Sequence, residues 1–158
     1  MSGRYESEQD RADQERIMRA FKGRFGIDYQ MTPKDDALVY DALIFRSGKL
    51  SALAEVRVKR QKAPYPFLLM NTHKIRDLVK ESERFGLPIL FIIEVRELYS
   101  GRVEHVWMKL NPEMIPTWYK KVCGRKDRGD PFDVNEACFI PRNQFNIWQP
   151  LDNSSSML

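Results

Sequence analysis

The sequence predicts an α/β domain in which helices flank a mixed central sheet of about four to five strands. Three observations carry that reading. Two apolar runs, ALVYDALIF and LSALAEVRVKR, are separated by Ser47 and Gly48, a dipeptide that marks a hairpin between antiparallel strands. The run PILFIIEV is almost wholly apolar and too short for a buried helix, which fits a strand covered on both faces. Two further segments place apolar residues at helical spacing.

The first of these helices runs from about Glu8 to Arg24, with Ile17, Met18 and Phe21 forming the apolar stripe and Gly26 ending it. A polar stretch containing Pro33, Asp35 and Asp36 leads into the hairpin. The second helix spans Thr72 to Phe85, with Ile75, Leu78, Val79 and Phe85 on one stripe, and Gly86 with Pro88 closes it. Beyond PILFIIEV, Ser100 and Gly101 turn the chain into a strand from Val103 to Leu110, and a short helix is expected from Pro112 to Lys121. A polar, mobile loop should follow from Gly124 to Pro131, then a last strand at NEACFIP. Residues 1–150 read as one domain, and the Ser-rich residues 151–158 as a disordered tail.

Bulk properties narrow the class. The chain has 158 residues, 42% of them apolar and 30% charged, and a mean hydropathy of -0.53; no apolar run nears the roughly 20 residues a bilayer span needs. No membrane association is expected, and the charged segment MSGRYESEQDRADQER lacks the apolar core of a secretory signal, which points to a cytoplasm. Cys123, Cys138, His73 and His105 cannot supply a zinc framework, and in a reducing compartment both cysteines should remain thiols. The net charge is +4, with basic density at RVKRQK (57–62) and KKVCGRKDR (120–128), which suits a phosphate backbone or a plain solvated face.

The residues that point to chemistry are Asp41 and Glu55. Each is embedded in an apolar run, and an ionised carboxylate taken out of water costs several kcal/mol unless it is paired, hydrogen-bonded or bound to a cation. On neighbouring hairpin strands the two can converge, and converging carboxylates repel unless a cation or a proton lies between them. Hard oxygen ligands of this kind suit Mg²⁺, with Mn²⁺ as an alternative. On the second strand Glu55, Arg57, Lys59 and Gln61 share one face, whereas Ala54, Val56 and Val58 take the other. The strand thus sets cations beside a carboxylate, where they could offset charge developing at a phosphate.

This pattern resembles the PD-(D/E)XK nucleases of restriction-endonuclease-like fold, especially small resolvase-like and phage-encoded members. Tyr40-Asp41 stands where that family often has Pro-Asp, and AEVRVK stands where it has Glu-X-Lys. The resemblance runs from about Glu15 to Val95. It implies that Asp41 and Glu55 hold Mg²⁺, that the backbone carbonyl of Val56 completes the ligand set, that Glu15 on the first helix joins it, and that Lys74 stands where many members place Lys or Gln. The sequence departs from the family at Arg57, which occupies the position of the usual Lys. Lys59 begins roughly 13 Å from Glu55 along the strand, against roughly 7 Å for Arg57. Arginine keeps its proton and cannot act as a base, so Lys74 is the preferred substitute and Lys59 the second.

Ordinary readings stand beside these. A Glu55–Arg57 salt bridge is a weak rival to metal ligation, because neighbours on one strand face are commonly too far apart. Glu15 suits a surface ion pair, His73 a helix start, His105 a strand surface, and Trp107 the core. Trp107, Trp118, Tyr119 and Trp148 could offer stacking platforms for unpaired bases, although such residues are more often core or interface, and Trp118 and Trp148 remain open between the two. The expected function is a metal-dependent endonuclease or resolvase-like phosphodiesterase that hydrolyses DNA, as a possible homodimer, in the host cytoplasm if phage-encoded. Asp41, Glu55, Arg57, Lys59 and Lys74 would carry catalysis, and Arg57, Lys59, Arg60, Lys74, Arg125, Lys126 and Arg128 would bind nucleic acid. The alternatives are a catalytically silent nucleic-acid-binding module of the same fold and a protein assembly subunit.

Overall fold

The computed structural model describes residues 8–33, 38–124 and 134–151. Helix α1 (Glu8–Phe25) precedes the short strand β1 (Asp28–Met31), and β2 (Ala42–Arg46) and β3 (Lys49–Gln61) form the expected hairpin. Ser47 and Gly48 both have positive φ, at 52° and 75°, the backbone a tight two-residue hairpin turn requires. Strand β4 (Phe67–Asn71) leads directly into α2 (Thr72–Phe85), followed by β5 (Ile89–Glu97) and β6 (Val103–Lys109). The side chain of Asn71 accepts the amides of His73 and Lys74 to cap α2, and Gly86, at φ 65°, ends it in the left-handed region.

The main sheet is mixed, as expected, and wider than four to five strands: six strands run in the order β1-β2-β3-β5-β6-β9, where β9 is Asn146–Trp148. Among the described residues only the central β3–β5 pair of this sheet is parallel, which requires the crossover that α2 provides. A second sheet of three antiparallel strands has the order β4-β8-β7, with β7 at Tyr119–Gly124 and β8 at Val134–Pro141. The short helix expected from Pro112 to Lys121 is instead a 3-10 turn over Pro112–Thr117, and the chain then extends into β7. Pro116 has no amide to continue a helix, and the residues after it pair with β8.

Two apolar layers enclose the sheet. Ile17, Met18 and Phe21 of α1 pack on Ala42, Ala54, Val56 and Ile92. On the opposite face Ile75 and Leu78 of α2, with Leu68 and Ile140 of the small sheet, cover Leu53, Phe91, Ile93 and Val95. The odd-numbered side of β3, which begins with Leu53 and continues through Glu55, therefore enters the α2 layer and is covered as fully as the other side. Among the described residues no helix is long and apolar enough to cross a membrane.

Candidate active site

Asp41 lies one residue before β2, at the point where the chain enters the sheet, not within a strand as its apolar neighbours suggested. Its amide donates to the carbonyl of Ala54 at 2.8 Å, which prolongs the β2–β3 ladder by one step and sets Asp41 beside Glu55. Its Oδ2 accepts the amide of Val56 at 2.8 Å. Asp41 is 8% exposed and Glu55 0%, so the second carboxylate is enclosed by protein. Burial first, and then the negative charge of Asp41, push the Glu55 carboxyl up to about 8, against the opposing pull of Arg57 and Lys74. The two acids thus converge, as their hairpin placement predicted.

Two cations face this pair. Arg57 Nη2 lies 2.7 Å from Glu55 Oε1, and Lys74 Nζ lies 3.5 Å from Glu55 Oε2. The Glu55–Arg57 contact overturns the expectation that strand spacing separates them: the Cα atoms are far apart, but the arginine stem spans the gap. Both contacts are within ion-pair distance, yet among the described residues neither Glu55 oxygen has a partner with hydrogen-bond alignment. Lys74, in the first turn of α2, reaches the site from the next element exactly where the capped helix begins. Lys59 is half-buried, and its ammonium is lowered to about 8 by burial, then by Arg57, with Glu55 opposing. That places it in the electrostatic neighbourhood of the pair. Arg60 is exposed, and Arg125, Lys126 and Arg128 lie outside the described residues.

Helix α1 presents a different residue from the one expected. Glu15 accepts from the Tyr29 hydroxyl at 2.8 Å and pairs with Arg19 at 3.7 Å, on the side of the helix facing β1. Among the described residues no group of three or more His, Cys, Asp or Glu is gathered, so Glu15 does not join Asp41 and Glu55. Gln14 is the buried neighbour: its Nε2 approaches the Val56 carbonyl at 3.4 Å, and its Oε1 is buried without a partner. The amide and carbonyl of Val56, which β2 leaves unpaired, are therefore taken by Asp41 and Gln14. The sequence did contain this signal, since Gln14 shares a stripe with Ile17, Met18 and Phe21, whereas Glu15 is turned about 100° away.

Other candidates resolve into structure. Glu94 on β5, 2% exposed, accepts from Arg16 at 2.8 and 2.9 Å and from Arg96 at 2.9 Å, and its Oε1 lies 2.9 Å from His105 Nε2. His105 is thus tied into a buried network and is not on a strand surface. His73 stands at the α2 start, 3.4 Å from Asp77. Trp118 and Trp148 are both buried, and Trp107 packs edge-on to Phe25. Of the two cysteines, Cys138 is a buried free thiol 3.3 Å from the Thr72 hydroxyl.

The site thus stands in a mixed sheet between helices, with an Asp entering one strand, a Glu on the next and basic side chains around them. The chain belongs to the family described as phage putative PDDEXK endonuclease, whose model matches residues 1–147. That confirms the resemblance read from Asp41 and the Glu55 strand. Among solved structures it is similar to Hjc, a Holliday junction resolvase from Archaeoglobus fulgidus, at 10% identity, with 82% of this chain and 87% of that chain covered and a TM-score of 0.41. No curated protein matches the chain.

Proposed function

We propose that this protein is a divalent-metal-dependent endonuclease that hydrolyses DNA phosphodiester bonds, with residues 1–150 acting as one domain in the cytoplasm of the host. The observation that carries this reading is the buried Asp41–Glu55 pair, in which burial and the charge of Asp41 raise the proton affinity of Glu55 and no aligned hydrogen bond reaches its oxygens among the described residues. The donor set fits Mg²⁺ or Mn²⁺: two hard carboxylates, with the Val56 carbonyl and the partnerless Oε1 of Gln14 as neutral oxygens nearby. When bound there, the cation would supply Lewis-acid charge at the scissile phosphate.

The chain's own residues do the remainder. Lys74 orients the attacking water and offsets charge as the phosphate becomes more anionic. Arg57, released from Glu55, holds a non-bridging phosphate oxygen in its planar fork. Lys59, with its lowered proton affinity, is able to exchange a proton near neutral pH as an arginine cannot. Arg60 adds positive charge on the same strand, in exposed surroundings.

Cleavage of plasmid and branched DNA in Mg²⁺ or Mn²⁺, compared with EDTA, tests this reading. Cleavage that requires the cation and is abolished by Asp41→Asn supports it; DNA binding with no cleavage under either cation overturns it. A second reading, the silent binding module, is favoured by one observation: Arg57 stands in the position of the family's Lys and closes on Glu55 at 2.7 Å. That module would bind DNA with strong salt dependence and be indifferent to Asp41→Asn.

A further inference from the structure

The outer face of the three-stranded sheet carries a continuous row of rings. Leu68, Met70, Cys138 and Ile140 turn inward to the core, so alternation turns Phe67, Leu69 and Phe139 outward. Leu69 pairs with Phe139, and Phe139 with Tyr119, across the three strands. Ring contacts run from Tyr65 to Phe67 at 5.8 Å, from Phe67 to Phe139 at 5.9 Å, and from Phe139 to Tyr119 at 5.2 Å. The two end rings are open to solvent, Tyr65 at 43% and Tyr119 at 62% exposure. Interior packing does not need four such rings on the side of a sheet away from the core.

This face is joined to the candidate active site. A groove of about 560 Å³ is lined by Lys59, Lys62, Tyr65, Leu69 and Phe139 among others. Lys59 is the shared residue, since it lines the groove and lies on the same side of β3 as Glu55 and Arg57, two residues beyond Arg57. Arg60, Lys62 and Lys121 are exposed around the same region. Cations along an aromatic row disfavour a second copy of the same surface, which would bring like charges together, and favour a polyanion whose bases present flat π faces.

We propose that this face stacks unpaired DNA bases, so that the substrate carries a single-stranded tail or flap beside the duplex whose phosphate reaches Asp41 and Glu55. The proposal rests on the DNA-cleavage reading for the position of the cut, and the binding step is measured apart from it. The full chain in EDTA is titrated with two fluorescent hairpins, one blunt and one with a short single-stranded tail containing 2-aminopurine.

The tailed hairpin should bind about tenfold more tightly or better, with quenching of 2-aminopurine as it stacks. Tyr119→Ala and Tyr65→Ala, both at exposed rings, should each remove much of that advantage and leave blunt-hairpin binding unchanged, and Tyr119→Phe should restore it. Equal affinity for the two hairpins overturns the proposal, as does an equal loss on both, or a dimer that Tyr119→Ala dissociates. Tail-dependent binding without cleavage in Mg²⁺ would sink the nuclease reading and leave this surface standing. Cleavage with no effect of the tail would do the reverse.

Discussion

In the metal-free protein, Glu55→Gln should convert a stability that falls with pH into one that does not. The Glu55 carboxyl stands near 8 in the folded chain against an ordinary 4.5, so between those values the native state keeps a proton that the unfolded state releases. Stability from this group is complete below about pH 4.5 and is lost as pH rises toward 8, the sign expected of an acid whose folded affinity for protons is raised. At about 1.4 kcal/mol per pH unit, wild type should lose about 3–4 kcal/mol relative to the glutamine variant between pH 5 and pH 8. Glutamine resembles the protonated acid, and any fixed cost of the substitution cancels because only the change with pH is read. Urea denaturation of both proteins in EDTA at pH 5, 6, 7 and 8 measures it. A difference that stays flat across that range would refute the argument that Asp41 and burial load this site. Adding Mg²⁺ should narrow the gap for wild type alone, since a ligand bound only by the native state stabilises it.

Three other outcomes are expected. Asp41→Asn should reduce DNA cleavage at least a hundredfold, since even outer partners of metal sites are worth about 10–100-fold, and should change stability by only about 1 kcal/mol, because the amide oxygen can still accept the Val56 N–H; parallel cleavage assays and melts check both. Lys74→Ala should slow cleavage by about 10²–10³-fold with little effect on substrate binding, whereas Arg76→Ala, exposed on the same helix, should leave both unchanged; single-turnover kinetics separate the two steps. Arg16→Ala should destabilise the protein by about 1–2 kcal/mol, because it strips one of three partners from the buried Glu94 carboxylate while Arg16 itself is half exposed to water. Burial pushes that carboxyl up, but hydrogen bonds from His105, Arg16 and Arg96 outweigh it and hold Glu94 well below its ordinary 4.5. Its contribution is therefore full above pH 4.5 and lost on acidification, and melts from pH 6 downward should show the variant and wild type converging.

The elements that were legible in the sequence are those whose signals are local. The Ser47-Gly48 hairpin, α2 with its Gly86 end and the doubly covered β5 each depend on a periodicity or a turn residue within the segment. Strand β4 escaped because it is five residues between a proline-rich stretch and a helix, and its partner β8 lies about seventy positions further on. The first half of β7, residues 119–121, falls inside the helix expected from Pro112, because its pairing with β8, not its composition, makes it extended. At the site, Asp41 and Glu55 were visible as charges in apolar runs. The family resemblance pointed to Glu15, but packing on β3 follows helical phase, and the residue in phase with Ile17, Met18 and Phe21 is Gln14. Strand spacing makes a Glu55–Arg57 ion pair a weak expectation, and the length of an arginine side chain overrides that spacing.

Glu55 and Glu94 show why burial of an acid alone does not mark a site. They lie on adjacent strands of one parallel pair, three register steps apart, since Glu94 pairs with Val58, and both are almost fully enclosed. Glu55 faces two basic side chains and Glu94 three. Glu94 receives aligned hydrogen bonds from two arginines and lies within hydrogen-bond distance of a histidine, and its proton affinity drops. Glu55 meets a like charge from Asp41 and two cations at ion-pair distance without hydrogen-bond alignment, and its proton affinity rises. The first arrangement lowers the energy of the ionised acid within the chain itself and so serves the fold. The second leaves that energy high unless a proton or a cation comes between the carboxylates, and on the metal-dependent reading proposed above the cation is what compensates the pair.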